Sequence, residues 1–256
     1  MHLPRSLEAF PQLAVFDTTG STNDELRETA DAPDFSIAVT DNQTAGRGRL
    51  GRVWVAPPGQ ALAVSVLLRP GVGTEHLGWL PLIAGLAMAR TVQGLLPDAQ
   101  VGLKWPNDVQ IDGLKVSGIL SELSGSSDAV ILGAGLNLAI PADELPTPVS
   151  TSVGLHTHTT GSADPDTALA GYLTELQRLY RAFTAAGGDA EVSGIRPALT
   201  AACTTLGLQV RVQLPGDDVL IGVATGIDES GRLLVREQDG HVQAVAAGDV
   251  THLRYE

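Results

Sequence analysis

The sequence is poor in two residue types that carry much of protein chemistry, cysteine and lysine. Cys203 is the only cysteine among 256 residues, which excludes an intrachain disulfide and a cysteine-rich metal site. Its small neighbours predict a buried thiol rather than a nucleophile. The only two lysines, Lys104 and Lys115, lie eleven positions apart, and besides six histidines every other basic side chain is arginine. Lysine is a compact point charge on a flexible stem, unlike the planar arginine fork. The pair therefore indicates a chemical role; the alternative is that two surface lysines fell close together by chance.

Net positive charge and long apolar runs are also missing. The formal net charge is −13, whereas surfaces that hold duplex DNA or anionic lipid are usually basic. Nucleic acid is therefore not an expected partner. The longest apolar stretch, residues 77–96, is interrupted by Pro81, Arg90 and Gln93, and its apolar spacing fits a helix with a buried face. With no membrane span and no secretion signal visible, the expected location is the cytoplasm and no membrane partner is expected.

Apolar periodicity and turn residues predict an α/β domain followed by a small β-barrel. Thr22-Asn-Asp-Glu25 reads as a capping box that begins a helix ending near residue 30. Residues 45–58, rich in glycine, arginine and proline, are expected to form a loop. From residue 209 the pattern changes to short strands between turns rich in glycine and aspartate, as in a small barrel. The expected division is residues 1–205 and residues 206–256. Further helices are predicted over residues 77–96 and 167–186, and strands over residues 37–40, 61–68, 101–104, 109–111, 119–123, 129–132, 136–140, 209–214, 219–226, 232–236, 241–246 and 250–254.

Residues 46–52, Gly-Arg-Gly-Arg-Leu-Gly-Arg, match the glycine spacing of a dinucleotide-binding loop. Such a loop leads into a helix, but the prolines and β-branched residues that follow do not favour one. The three guanidinium groups of Arg47, Arg49 and Arg52 are more informative, because arginine forks match carboxylates and phosphates. Glycines between them allow the backbone to approach an anion closely. The segment is therefore interpreted as a flexible anion-binding loop that orders over its ligand; the alternative is an arginine loop paired with acidic surface residues.

Two other segments have two interpretations each, and a third has one. Asn107 and Asp108, which follow Lys104, offer oxygen ligands of the kind Mg²⁺ accepts, but Asn-Asp is also ordinary turn sequence. The glycines around residue 134, before Asn137, mark either close approach of a ligand or tight sheet packing. The pair His156-Thr-His158 is expected to lie in a solvated loop, and the six histidines show no metal-binding spacing.

Five segments in this order resemble the biotin protein ligases, the biotin–[acetyl-CoA-carboxylase] ligases. The similarity extends from about residue 15 to residue 254. It implies a class II aminoacyl-tRNA synthetase-like α/β (α+β) catalytic domain followed by an SH3-like barrel. The matching segments are Gly-Ser-Thr-Asn at 20–23, Gln-Thr-Ala-Gly-Arg-Gly-Arg-Leu-Gly-Arg-Val-Trp at 43–54, Lys-Trp-Pro-Asn-Asp-Val at 104–109, Lys-Val-Ser-Gly-Ile-Leu-Ser-Glu at 115–122 and Gly-Ala-Gly-Leu-Asn-Leu at 133–138.

The resemblance also implies a two-step reaction and a set of site residues. Biotin and MgATP give biotinyl-5′-AMP and pyrophosphate, and a lysine of a carboxylase's biotin carboxyl carrier domain then attacks the mixed anhydride. The implied catalytic residues are Lys115, Arg47 and Arg49. Those implied at biotin are Ser21, Thr22, Asn23, Gln43, Arg47, Gly48, Arg49, Lys115, Gly118, Gly133 and Gly135. Those implied at ATP or the adenylate are Arg49, Arg52, Trp54, Lys104, Asn107, Asp108, Lys115 and Asn137, with Asn107 and Asp108 also serving Mg²⁺.

The sequence departs from the family pattern in one respect, and it leaves two rival functions open. Bifunctional members of the family carry a winged-helix DNA-binding domain, and the roughly twenty residues before Ser21 are too few for one. The expectation is therefore a monofunctional enzyme, monomeric or weakly dimeric. The enzyme rival is a lipoate ligase, which shares the adenylating step but lacks this arginine loop. The rival of another class is a non-catalytic protein that binds biotin or nucleotide.

Overall fold

The computed structural model describes residues 1–29, 31–124, 129–157, 164–214, 218–246 and 248–252. A seven-stranded sheet runs through the N-terminal part of the chain in the order β1-β2-β5-β9-β8-β7-β6. The first pair is parallel and the following five are antiparallel. Its strands are β1 (Leu13–Val15), β2 (Ser36–Thr40), β5 (Ala61–Leu68), β6 (Val101–Lys104), β7 (Asp108–Ile111), β8 (Leu114–Leu123) and β9 (Val130–Asn137).

Five α-helices are described, and two long ones cover one face of this sheet. The first of these, α3, is apolar on nearly every side and is therefore buried along most of its length. The second, α4, is amphipathic and packs its apolar side on α3. The short α1 is held against α4 because the backbone N–H groups of Arg5 and Ser6 donate to the buried Asp166 carboxylate, each at 2.9 Å. The helices are α1 (Pro4–Ala9), α2 (Thr22–Glu28), α3 (Trp79–Leu95), α4 (Pro165–Ala185) and α5 (Ile195–Ala202).

Alternation along the central strands separates a core face from a face of small residues. In a strand, successive side chains point to opposite faces. In β5, Leu62, Val64 and Val66 point into the main core beside α3. The intervening Ala63 and Ser65 point to the other face, where α2 packs. Because these side chains are small, the sheet leaves room there for a cavity.

A second sheet, antiparallel and five-stranded in the order β13-β12-β11-β10-β14, follows α5. Its turn at residues 228–231 packs against the first unit: Trp79 Nε1 donates to Glu229 O at 2.7 Å and Trp105 Nε1 to Gly231 O at 3.1 Å. The expected fold class, an α/β unit followed by a small antiparallel β-unit, is confirmed. The strands are β10 (Gln209–Gln213), β11 (Val219–Ile227), β12 (Leu233–Arg236), β13 (Val242–Val245) and β14 (Asp249–His252).

The structure differs from several sequence expectations. Residues 45–58 are not simply a loop, because β3 (Gln43–Arg47) pairs with β4 (Val53–Ala56) in a hairpin closed by a 3₁₀ turn, Arg49–Gly51. The capping box is wrong, because Ser21 is the N-cap residue and makes no side-chain cap bond. The two strands expected at 129–132 and 136–140 are one strand, since the glycines between them stay extended.

Other outcomes concern single elements. The expectations missed α1, β1 and α5, which are short. Of the last predicted strand, residues 253 and 254 lie outside the described residues. Among the helices that the structure describes, none combines the length and apolarity needed to cross a bilayer. Cys203 is buried as expected, and burial raises the pKa of its thiol.

Candidate functional site

A cavity of about 400 Å³ lies on the small-residue face of the central sheet. Its floor comes from three adjacent strands whose register brings small residues together. Ala63 of β5 pairs with Gly135 of β9, and Ser65 with Gly133. On the other side of β9, Gly118 of β8 pairs with the same Gly135. The lack of side-chain volume at these positions creates the space.

The glycines of β9 are needed because side chains approach their Cα atoms closely. A Cβ at Gly135 would lie 2.2 Å from the indole ring of Trp54, and one at Gly133 would lie 2.5 Å from Asn23 Oδ1. Both distances are too short for any real contact. The sequence left open whether these glycines permit close approach or only tight sheet packing; here they admit Trp54 and Asn23, two predicted site residues.

One end of the cavity is a buried cluster of neutral polar groups. Gln43 Oε1 accepts a hydrogen bond from Thr22 N at 3.0 Å. The hydroxyl of Ser65 lies 2.7 Å from Thr22 Oγ1 and 2.6 Å from Asn23 Oδ1. Asn23 Nδ2 in turn donates to Glu122. Since an ordered network fixes the direction of each donor and acceptor, this end is suited to a neutral polar ring.

Ser65 was not among the predicted site residues. It is fully buried within the apolar strand β5. The only signal that sequence reasoning could have used is that a single polar residue interrupts an otherwise apolar strand.

Cations and amide groups occupy the middle of the cavity. Lys115 Nζ lies 2.7 Å from Asp108 Oδ1, an ion pair whose approach is too oblique for a hydrogen bond. The lysine chain folds across Gly118, where a Cβ would come within 3.1 Å of Nζ. Arg49 donates to Asn107 Oδ1 at 2.9 Å and to the carbonyl of residue 248, in the C-terminal unit, at 3.2 Å. The C-terminal unit therefore takes part in holding the arginine segment.

Arg47 is paired with acidic residues, as the alternative interpretation of the arginine segment expects. Its guanidinium makes a bidentate contact with Asp24 at 2.6 and 2.7 Å, and one nitrogen lies 3.4 Å from Glu122. The hydrogen bond from Arg47 lowers the pKa of Asp24, and the pKa of Arg47 is raised in return. Arg27 joins the same network through both carboxylates. Arg47 thus lines the cavity with its charge already balanced.

At the other end, two buried polar atoms lack a partner among the described residues. Asn137 Nδ2 donates to Thr151 O at 2.9 Å, but Asn137 Oδ1 is buried without a hydrogen bond. The indole nitrogen of Trp54 is likewise buried without one. Because buried polar groups are nearly always satisfied, a free acceptor and a free donor beside a cavity indicate a ligand that supplies the complements.

All the predicted site residues line this one cavity, including those not yet placed: Ser21, Gly48, Arg52 and Lys104. Lys104 faces Asp108 across the β6–β7 hairpin. Sequence reasoning did not select the residues of two remote segments that also line it. One is the polar stretch of residues 146–150, whose last residue, Ser150, forms a β-bridge with Lys115. The other is β14 of the C-terminal unit. The unpredicted lining residues are Leu50, Val53, Ala63, Ile119, Leu120, Ala134, Pro146, Thr147, Val149, Ser150, Val250 and Thr251.

Comparison with known proteins agrees with this geometry. Residues 13–137 match the biotin/lipoate A/B protein ligase family, and residues 205–253 match the biotin protein ligase C-terminal domain. A biotin–[acetyl-CoA-carboxylase] ligase of Mycobacterium tuberculosis is 38% identical over 95% of this chain and 90% of its own length. The bifunctional ligase/repressor BirA of Bacillus spizizenii is 30% identical over 92% of this chain and 71% of its own.

A solved structure is also similar along nearly the whole length. The biotin protein ligase from Aquifex aeolicus, in complex with biotin and ATP, matches with a TM-score of 0.80 at 28% identity. The match covers 96% of this chain and 100% of the other. The chain therefore belongs to the biotin/lipoate A/B protein ligase family, in its biotin protein ligase branch.

Proposed function

We propose that this chain activates biotin with ATP to biotinyl-5′-AMP and transfers the biotinyl group to a lysine of a biotin carboxyl carrier domain of an acyl-CoA carboxylase. The observation that carries the proposal is the order of groups along one cavity. A neutral hydrogen-bonding end is followed by cations and then by an end with a free donor and a free acceptor. Biotinyl-AMP has the same order: a neutral bicyclic urea, a carboxyl–phosphate anhydride and an adenine.

The urea ring of biotin is proposed to contact Thr22, Asn23 and Gln43 of the buried polar cluster. The buried Ser65, behind the cavity lining, holds Thr22 and Asn23 in place. A urea carries two N–H donors and one carbonyl acceptor, so it needs both kinds of partner. The cluster offers both, because it contains two hydroxyls and two amides already fixed by one another. Ser21 and the glycines of β8 and β9 give this ring its space.

The cationic middle is proposed to lower the barrier of adenylation. A carboxylate must approach an α-phosphate against mutual repulsion, and positioned cations offset that repulsion and stabilise the developing charge. Lys115 is the proposed centre, since its Nζ lies over Gly118 between the two ends of the cavity. Arg49 is proposed to hold the acyl-adenylate, with Arg47, Gly48, Arg52 and Lys104 serving the carboxylate and phosphates. Water exclusion by the same segment protects the anhydride.

The far end is proposed to bind adenine. The N6 amino group of adenine donates, which complements the free acceptor Asn137 Oδ1. The Trp54 ring, held against Gly135, offers an apolar surface that covers a base.

Asn107 and Asp108 fit Mg²⁺ only as two ligands among several, the others coming from substrate phosphates and water. Mg²⁺ usually takes one or two carboxylates together with substrate phosphates. Among the residues described, no cluster of three acidic, histidine or cysteine side chains exists that could hold a metal unaided. Asp108 is the charged ligand of the two, but its Oδ1 lies 2.7 Å from Lys115 Nζ, so its use by a metal requires Lys115 to turn toward the substrate. Asn107 Oδ1 already accepts from Arg49, and its use by a metal requires Arg49 to move. Bound Mg²⁺ would neutralise phosphate charge.

Four further parts of the proposal rest on the sequence. The catalytic domain is proposed as residues 1–205 and the barrel as residues 206–256, with the barrel completing the Arg49 environment. A cytoplasmic location and the absence of DNA binding stay predictions. So does a monomeric or weakly dimeric state.

ATP–pyrophosphate exchange tests the first step. The protein, MgATP and radiolabelled pyrophosphate are incubated with biotin, with lipoate, or with neither acid. Exchange with biotin alone is the expected result. Exchange with lipoate alone would support the rival lipoate ligase, and no exchange with either acid by folded protein would support the non-catalytic binding protein.

A further inference from the structure

Thr151 joins two of the proposed site residues through its backbone. Its N–H donates to Lys115 O at 2.8 Å, and its carbonyl accepts from Asn137 Nδ2 at 2.9 Å. Thr151 is only 2% exposed, so both bonds are shielded from water. The position of this one residue therefore affects the backbone that carries the central lysine and the amide at the adenine end.

A histidine outside the cavity holds the hydroxyl of Thr151. His156 Nε2 lies 2.8 Å from Thr151 Oγ1. On the other side of the ring, His156 Nδ1 lies 3.6 Å from Asp112 Oδ2. The 3₁₀ turn Val153–His156 folds the chain back, so that His156 meets the residue five positions earlier. The expected solvated loop is therefore wrong for His156, whose side chain is 20% exposed; His158 lies outside the described residues.

The consequence for the site follows from the amide of Asn137. An asparagine amide can present either its oxygen or its nitrogen to a ligand. Thr151 O takes the Nδ2 group and thereby leaves Oδ1 as the free, buried acceptor. If Thr151 shifts, its carbonyl no longer holds Asn137 Nδ2, and the amide can turn either group toward the ligand. Recognition of a donor such as the adenine amino group then weakens.

We infer that His156 is a positioning residue for the nucleotide end of the site and acts through Thr151 on the amide of Asn137. The inference rests on the proposed function. The hydrogen bonds recorded for the biotin end join Thr22, Asn23, Gln43 and Ser65 to one another and to Glu122, not to Thr151. Loss of His156 is therefore expected to affect ATP and leave biotin binding alone.

The test is a comparison of His156→Ala with the wild type in steady-state adenylation. The KM for ATP is expected to rise about three- to tenfold, the order of one neutral hydrogen bond, with the KM for biotin unchanged. His156→Gln, whose amide can still reach the threonine hydroxyl, is expected to recover most of the loss. His241→Ala, in an exposed turn of the C-terminal unit, is the matched control and should not change either KM.

A second variant keeps the inference testable if His156→Ala folds poorly. Thr151→Val keeps the side-chain shape but removes the hydroxyl that His156 holds, so Thr151 should shift and the KM for ATP should rise as in His156→Ala. The double variant should add nothing further, because both changes break the same contact. An unchanged KM for ATP in Thr151→Val, or an equal rise in both KM values, overturns the inference. A wild type inactive with biotin refutes the proposed function instead, before any variant is compared.

Discussion

Replacing Lys115 by alanine separates catalysis from folding in this protein. The side chain is 30% exposed and its recorded partner is the 22% exposed carboxylate of Asp108. Ion pairs with this degree of solvent access contribute roughly 0–1 kcal/mol to stability. For a protein of this size such a loss lowers Tm by about 2–4 °C at most. The fold is therefore expected to survive the substitution.

The expected effect on the reaction is much larger. Lys115 is the cation proposed to meet the charge that develops as carboxylate attacks α-phosphate. Removal of one preorganised group of this kind costs on the order of 10²–10³ in rate, or about 2.7–4 kcal/mol. Lys115→Arg should recover little, because Lys115 Nζ lies so near Gly118 that even an added Cβ there would come within 3.1 Å of it, and a planar fork does not fit the place of a compact ammonium.

Single-turnover formation of biotinyl-AMP, measured by rapid quench, isolates this step from transfer to the carrier. Thermal unfolding of the same samples reports stability. Lys104→Ala is the matched comparison, since it removes the chain's other lysine, which is proposed to serve the phosphates. If adenylation by Lys115→Ala stays within a few-fold of the wild type while Lys104→Ala is strongly impaired, the assignment is wrong and Lys104 is the central cation.

Three smaller predictions follow from individual contacts. Gly135→Ala places a Cβ 2.2 Å from the Trp54 ring, so calorimetry should find ATP affinity reduced at least about tenfold in a folded protein; unchanged affinity would exclude Trp54 from the adenine site. Ser65→Ala should raise the KM for biotin about three- to tenfold without changing that for ATP, and an effect on both would point to general disruption. Arg47 holds the pKa of Asp24 below its ordinary value of 3.8, so the contact stabilises above that pH and is lost as pH falls through the folded value. Urea unfolding should therefore give a difference in unfolding free energy between wild type and Asp24→Asn that is small, because the pair is exposed. This difference should shrink toward pH 3; a difference that stays constant with pH would contradict the expectation.

Local patterns were sufficient for much of the fold. The strand over residues 61–68 was predicted with the bounds it has, because an apolar, β-branched run bounded by turn residues has few other solutions. The glycines at 133 and 135 misled the same reasoning, since glycine lowers strand propensity and the run seemed divided there. The structure keeps one strand because its neighbours β5 and β8 pair with it on both sides. Short elements such as α5 were missed because they offer too few residues for a period to show.

The site residues were predictable where several of them are consecutive in the sequence. The arginine segment and the Lys-Trp-Pro-Asn-Asp segment stand out by composition. Ser65, His156 and the contact between Arg49 and residue 248 did not, because each depends on residues brought together from distant parts of the chain. A buried serine in a strand and a histidine in a polar stretch are ordinary until their partners are known.

Intact-mass spectrometry of a biotin carboxyl carrier domain shows whether this protein transfers biotin to its proposed acceptor. The carrier is incubated with this protein, biotin and MgATP, beside a carrier whose acceptor lysine is replaced by arginine. The first carrier is expected to gain the mass of one biotinyl group, and the second is expected to gain nothing. A folded protein that leaves the unaltered carrier at its original mass, with biotin and ATP in excess, would contradict the proposed function.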